Sequence, residues 1–194
     1  KQKVEEFNAR ILVVDANGVG NSVVGQLVFD LGDGYPPYSV VNSDKDWAQF
    51  YQPDSIPIVY AVKSNAKETL QSDMVNHFFK TFSKKDIGLL VGPEEGFKEY
   101  CSRHKLKISE LDSDDRMKIQ MPYMYTDLLQ GEIMNLKYKM AGNNRAMIEQ
   151  ISRTIPKDKQ SALMYGLWWI YNEEMNMKMP EKKKRTKLNK FAFF

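Results

Sequence analysis

Four apolar residues in unbroken succession, Ile11 to Val14, constrain this chain more than any other segment. Ile11, Val13 and Val14 are β-branched, which suits a strand better than a helix. An unbroken run, rather than an alternating one, predicts a strand buried on both faces, as in a mostly parallel sheet covered by helices. Asp15 follows at once, then Ala16-Asn17-Gly18-Val19-Gly20. Burying a carboxylate there is costly unless something pairs with it. A divalent cation is one such partner, because hard cations take oxygen ligands. The backbone of the turn and of the next helix is another.

Strands and helices then alternate. Val23, Val24, Leu27, Val28 and Leu31 recur at helical spacing, and Gly32-Asp33-Gly34 predicts the stop. Tyr38 to Val41 and Ile58 to Val62 read as strands, separated by a polar loop over Asn42 to Pro53 that carries Trp47, Phe50 and Tyr51. Amphipathic helices are expected over Lys67 to Phe82 and Glu95 to Leu106, with a charged connection over Asp112 to Arg116. Leu128, Leu129, Ile133, Leu136 and Met140 predict a long helix over Thr126 to Met140. Met147 to Ile151 reads as an edge strand, and Asp158 to Met175 as the strongest helix, with Ala162, Tyr165 and Trp169 among its apolar positions. The class is α/β. In open α/β sheets ligands bind beyond the carboxyl ends of strands, which directs attention to Asp15.

A length of 194 residues suits one domain, expected over 1–180, followed by a basic tail over 181–194. That tail holds six basic residues and one acidic one, so it carries 6 − 1 = +5, and the body carries 3 − 5 = −2 of the net +3. The body is thus no general polyanion binder, and attraction to phosphate must be local, or come from metal ions or the tail. No apolar run reaches the roughly 18 residues of a membrane span, so no membrane is expected among the partners. Cys101, the single cysteine, excludes an internal disulfide and fits a reducing compartment.

Other candidates carry less. Asp158 opens a long helix, where an acidic residue is favourable as a cap. Asp112, Asp114 and Asp115 form a cluster that suits a solvated loop or one extra metal ligand. His77 and His104 have no metal-ligand spacing, so zinc is not expected. Gly18 and Gly20 fall short of the G-x-G-x-x-G fingerprint, since the next glycine is Gly25, and no P-loop is present. Trp168 and Trp169 suit a core better than a base-stacking platform.

Two segments resemble the nuclease domain of phage large terminase subunits, which has a ribonuclease-H-like fold. They are ILVVDANGVGNSVVGQL, residues 11–27, and KDKQSALMYGLWWIYNEE, residues 157–174. The resemblance implies a mixed sheet flanked by helices. It implies a two-metal endonuclease that cuts concatemeric double-stranded viral DNA during packaging, with Mg2+ or Mn2+ held by Asp15 and Asp158. The implied partners are double-stranded DNA, the packaging ATPase domain, the portal and the small terminase subunit, and the implied place is the host cytoplasm. The family's earlier strands, the first of which carries another acidic residue, have no counterpart before Asp15. The expected sheet is therefore truncated at its N-terminus, and the expected site lacks one core ligand. A catalytically incomplete DNA- or motor-docking module is the alternative, and the tail over 181–194 suits it.

Overall fold

The computed structural model describes residues 1–32, 34–42, 45–64 and 68–178, and the side chains of residues 45, 46, 68 and 178 are not described. The basic tail expected over 181–194 lies outside the described residues, as does Asp33. In chain order the elements are α1 (Gln2–Glu6), β1 (Leu12–Asp15), α2 (Gly20–Val28), β2 (Tyr38–Val40), α3 (Lys45–Ala48), β3 (Ile56–Val62), α4 (Glu68–Ser83), α5 (Pro93–Arg103), α6 (Ser113–Met134), β4 (Leu136–Ala141), β5 (Arg145–Gln150) and α7 (Asp158–Lys178). The class is α/β, with a small parallel sheet and a separate antiparallel pair. No described helix is long and apolar enough to cross a membrane. The sequence suits one domain over 1–180; the chain divides into two compact units, residues 1–78 with 162–194, and residues 79–161.

The first unit holds the parallel sheet, in the order β1-β3-β2. β3 lies between two partners, and its Ile58, Val59, Ala61 and Val62 are buried. It packs with Val24 and Val28 of α2, Tyr38 of β2 and Trp47 of α3 in one core. The expectation for Ile11 to Val14 is corrected here. β1 is a sheet edge, and its residues are half-buried rather than enclosed on both faces. The doubly flanked position belongs to β3. α2 also stops earlier than expected: Phe29 is already extended, and Asp30 Oδ1 accepts from the Gly32 amide at 2.9 Å, making a local turn. The expected loop over Asn42 to Pro53 contains α3, anchored by buried Trp47, with the Lys63 ammonium 4.6 Å above the indole ring.

In the second unit α5 packs on α6. The contact is close: a Cβ on Gly96 would lie 2.2 Å from the Tyr123 ring. α6 begins at Ser113, not Thr126. Asp112 caps it, accepting from the Asp115 amide at 2.7 Å, so the charged connection is a helix start. The helix also ends earlier, at Met134. Asn135 turns the chain: its Nδ2 donates to the Ser152 carbonyl at 2.8 Å and its Oδ1 accepts from the Ser152 amide at 2.8 Å. Leu136 to Ala141 then pairs antiparallel with β5, from Leu136 opposite Gln150 to Ala141 opposite Arg145. The helix expected through Met140 is thus replaced by a strand, because cross-strand pairing outweighs local propensity.

Candidate functional site

Asp15 closes β1. The ladder with β3 runs from Leu12 opposite Val59 to Asp15 opposite Val62, and the Ala16 amide extends it by donating to the Val62 carbonyl at 2.8 Å. Ala16 is buried, whereas Asp15 is exposed to solvent. Its carboxylate is therefore not the buried charge that the sequence suggests. Instead Asp15 Oδ1 accepts two hydrogen bonds from Asn17, at 3.0 Å from the backbone amide and 2.6 Å from Nδ2. This is an Asx turn, in which the side chain replaces a backbone acceptor. Gly18 takes the left-handed conformation, φ +53°, and the Gly20 amide donates to the Asn17 carbonyl at 3.0 Å. Gly20 leaves no room for a side chain, since a Cβ there would lie 1.8 Å from the Asp15 carbonyl oxygen.

The turn is tied to the neighbouring strand. Ser64 lies two residues beyond the end of β3 and is only 5% exposed. Its Oγ accepts from Asn17 Nδ2 at 2.9 Å and lies 3.3 Å from the Tyr165 hydroxyl. Tyr165 is a buried residue of α7. Asp15, Asn17, Ser64 and Tyr165 thus form one polar cluster at the carboxyl edge of two adjacent parallel strands, all within the first unit. Burial raises the Tyr165 pKa above 10.0, as do the charge of Asp15 and a hydrogen bond to it, while the bond with Ser64 acts the other way. Burial, then the charge of Glu173, raises Tyr60 likewise.

These two shifts predict alkaline instability. A raised folded pKa means that the unfolded chain loses its proton first. The stabilisation is complete below the unfolded value of about 10 and is lost as pH rises toward the folded values. Urea midpoints between about pH 8 and about pH 11 are expected to fall, and to fall less steeply in a Tyr60→Phe, Tyr165→Phe chain. Equal slopes for the two chains would contradict the assignment.

Asp158 is exposed at the start of α7 and falls in the second unit, so neither unit by itself contains both expected ligands. The buried carboxylate at that helix start is Glu132, 2% exposed, which the sequence does not single out. Glu132 Oε2 accepts from the Gln160 amide at 2.9 Å, and Oε1 from Lys159 Nζ at 3.2 Å. It thus satisfies an orphan N–H of the first turn and places negative charge at the positive end of the helix dipole. Asp112 is engaged at the start of α6, and Cys101 is buried. His77 stacks on Tyr171 with centroids 4.5 Å apart, beside Trp168 at 6.4 Å, which agrees with a packing role for that tryptophan.

The fit to a metal is partial. The Asp15 cluster offers one carboxylate and the neutral oxygens of Asn17, Ser64 and Tyr165, which are donors of the type hard cations take. Two-metal centres need several carboxylates. Among the described residues no three His, Cys, Asp or Glu side chains come together as a metal-holding group. The described cluster fits one ligand of a cation, not a complete two-metal centre. No family model, curated protein or solved structure matches the chain.

Proposed function

We propose that this chain is a nuclease module with a ribonuclease-H-like sheet, of the kind found in phage large terminase subunits, and that Asp15 contributes one ligand for Mg2+ or Mn2+. The observation that carries this reading is the exposed Asp15 carboxylate at the carboxyl end of a parallel strand, aimed by an Asn-Gly-x-Gly turn. Such a carboxylate meets water and a cation without the full cost of burial. In the same reading Asp158 is a second ligand, the substrate is concatemeric double-stranded DNA, and the packaging ATPase, portal and small terminase subunit are the partners in the host cytoplasm. The test is nicking of supercoiled plasmid by the full chain with Mn2+, and its loss on chelation. Nicking that persists without metal would refute the proposal.

A second reading has its own support. With no further carboxylate grouped around Asp15 among the described residues, a docking module without cleavage activity fits the cluster equally well. That reading predicts DNA binding without nicking, and affinity that falls steeply with salt as Lys and Arg release counterions. Binding that is insensitive to salt would dismiss it.

A further inference from the structure

Asp15 is not held by its own turn alone. Both hydrogen bonds from Asn17 land on Oδ1, at 3.0 and 2.6 Å, and Oδ2 receives neither of them. The Asn17 side-chain amide, which makes the shorter bond, also donates to Ser64 Oγ at 2.9 Å, 47 residues along the chain. Ser64 Oγ in turn lies 3.3 Å from the Tyr165 hydroxyl, a further 101 residues on. Ser64 and Tyr165 are buried, at 5% and 8% exposure, whereas Asp15 is exposed. Two enclosed hydroxyls therefore anchor an amide whose other task is to fix an exposed carboxylate. Without them the Asn17 amide loses that anchor, and either carboxylate oxygen can take the turn bond.

We infer that Ser64 and Tyr165 are positioning residues for Asp15: through Asn17 they commit Oδ1 to the turn and leave Oδ2 for a divalent cation. This deepens the proposed function and rests on it. Groups that hold a metal ligand through a hydrogen bond set its orientation, and their loss typically weakens metal affinity about 10- to 100-fold. Tyr165 acts here as a neutral hydrogen-bonding group, and no change in its ionisation is involved. Tyr165→Phe keeps the buried ring and removes only the hydroxyl. Ser64→Ala removes the link to Asn17.

The test is a Mn2+ titration of the full chain, read by paramagnetic broadening of the amide resonances around Asp15. The variants are Tyr165→Phe, Ser64→Ala, the double variant and Asp15→Asn, each first shown to be folded by circular dichroism. Asp15→Asn should abolish the local broadening. Tyr165→Phe and Ser64→Ala should each weaken Mn2+ about tenfold. The double variant should also lose about tenfold rather than about a hundredfold, because the two hydroxyls act as one chain. A merely structural role would not give this non-additivity. Undiminished Mn2+ affinity in Tyr165→Phe, with loss in Asp15→Asn, overturns the positioning role and leaves the Asp15 reading intact. So do losses that multiply in the double variant. Equal binding, or no binding, by the parent and Asp15→Asn overturns the Asp15 reading and the positioning role together. Should Ser64→Ala not fold, Tyr165→Phe alone decides between these outcomes.

Discussion

A Gly20→Ala chain is expected to lose about 3 kcal/mol of stability or more, at the upper end of single-substitution effects. The added Cβ would sit 1.8 Å from the Asp15 carbonyl oxygen and 2.8 Å from its carbonyl carbon. Both atoms are backbone, so no side-chain rotation relieves the clash. The chain must move at Asp15, at Gly20, or at both. Movement at Gly20 strains its amide bond to Asn17 and shifts α2, whose Val24 and Val28 fill the core of the sheet. Movement at Asp15 disturbs the end of the β1–β3 ladder. Gly18→Ala is the internal comparison. Gly18 has φ +53°, but a Cβ there would meet nothing within 4 Å, so the cost is conformational only, about 1 kcal/mol. Urea unfolding of the two variants measures the difference. Equal, small losses would show that the close approach at Gly20 does not exist.

Glu132→Ala should cost about 3 kcal/mol, and Asp158→Ala no more than about 1 kcal/mol. The asymmetry follows from burial. Glu132 is enclosed and accepts from the Gln160 amide and from Lys159, and Gln160 is itself buried. Removing the carboxylate leaves a buried N–H unsatisfied, which carries its full desolvation cost. It also strands the Lys159 ammonium. That side chain is 36% exposed and regains water in part, which keeps the loss at the lower end of the range for broken buried pairs. Glu132→Gln retains an acceptor for Gln160 and should lose less than Glu132→Ala. Asp158 is exposed and contributes through the helix dipole. Chemical denaturation of the three variants gives the order directly. A larger loss at Asp158 than at Glu132 would contradict the account of how α7 begins.

These two sites also mark where the sequence is legible. The apolar run before Asp15 and the Asn-Gly-x-Gly turn are local signals, and the strand and turn form where they predict. The periodicity of α4 and α7 is likewise readable, because each helix buries one face. Leu136 to Met140 misleads for a physical reason. Its apolar residues fit a helical stripe continuing from Ile133, yet Leu136, Tyr138 and Met140 also alternate with two lysines at strand spacing. Pairing with β5 decides between the two patterns, and no local propensity reports that pairing. Ser64, Tyr165 and Glu132 act through partners 47, 101 and 28 residues away. Such bonds leave no trace in the spacing of nearby residues, so only the fold reveals them. The sequence points to Asp15 for a partly mistaken reason: its strand is an edge, and its carboxylate meets solvent.

Asp15→Asn tests the central claim most directly. The substitution removes the charge but leaves an Oδ1 that can still accept both hydrogen bonds from Asn17, so the turn and the fold should survive. Manganese-dependent nicking of supercoiled plasmid, measured on the full chain and on this variant, is expected to drop by more than about 100-fold, beyond what loss of an outer hydrogen bond to a ligand produces. Nicking by Asp15→Asn at the parental rate would show that the carboxylate takes no part, and would remove the basis for the nuclease assignment.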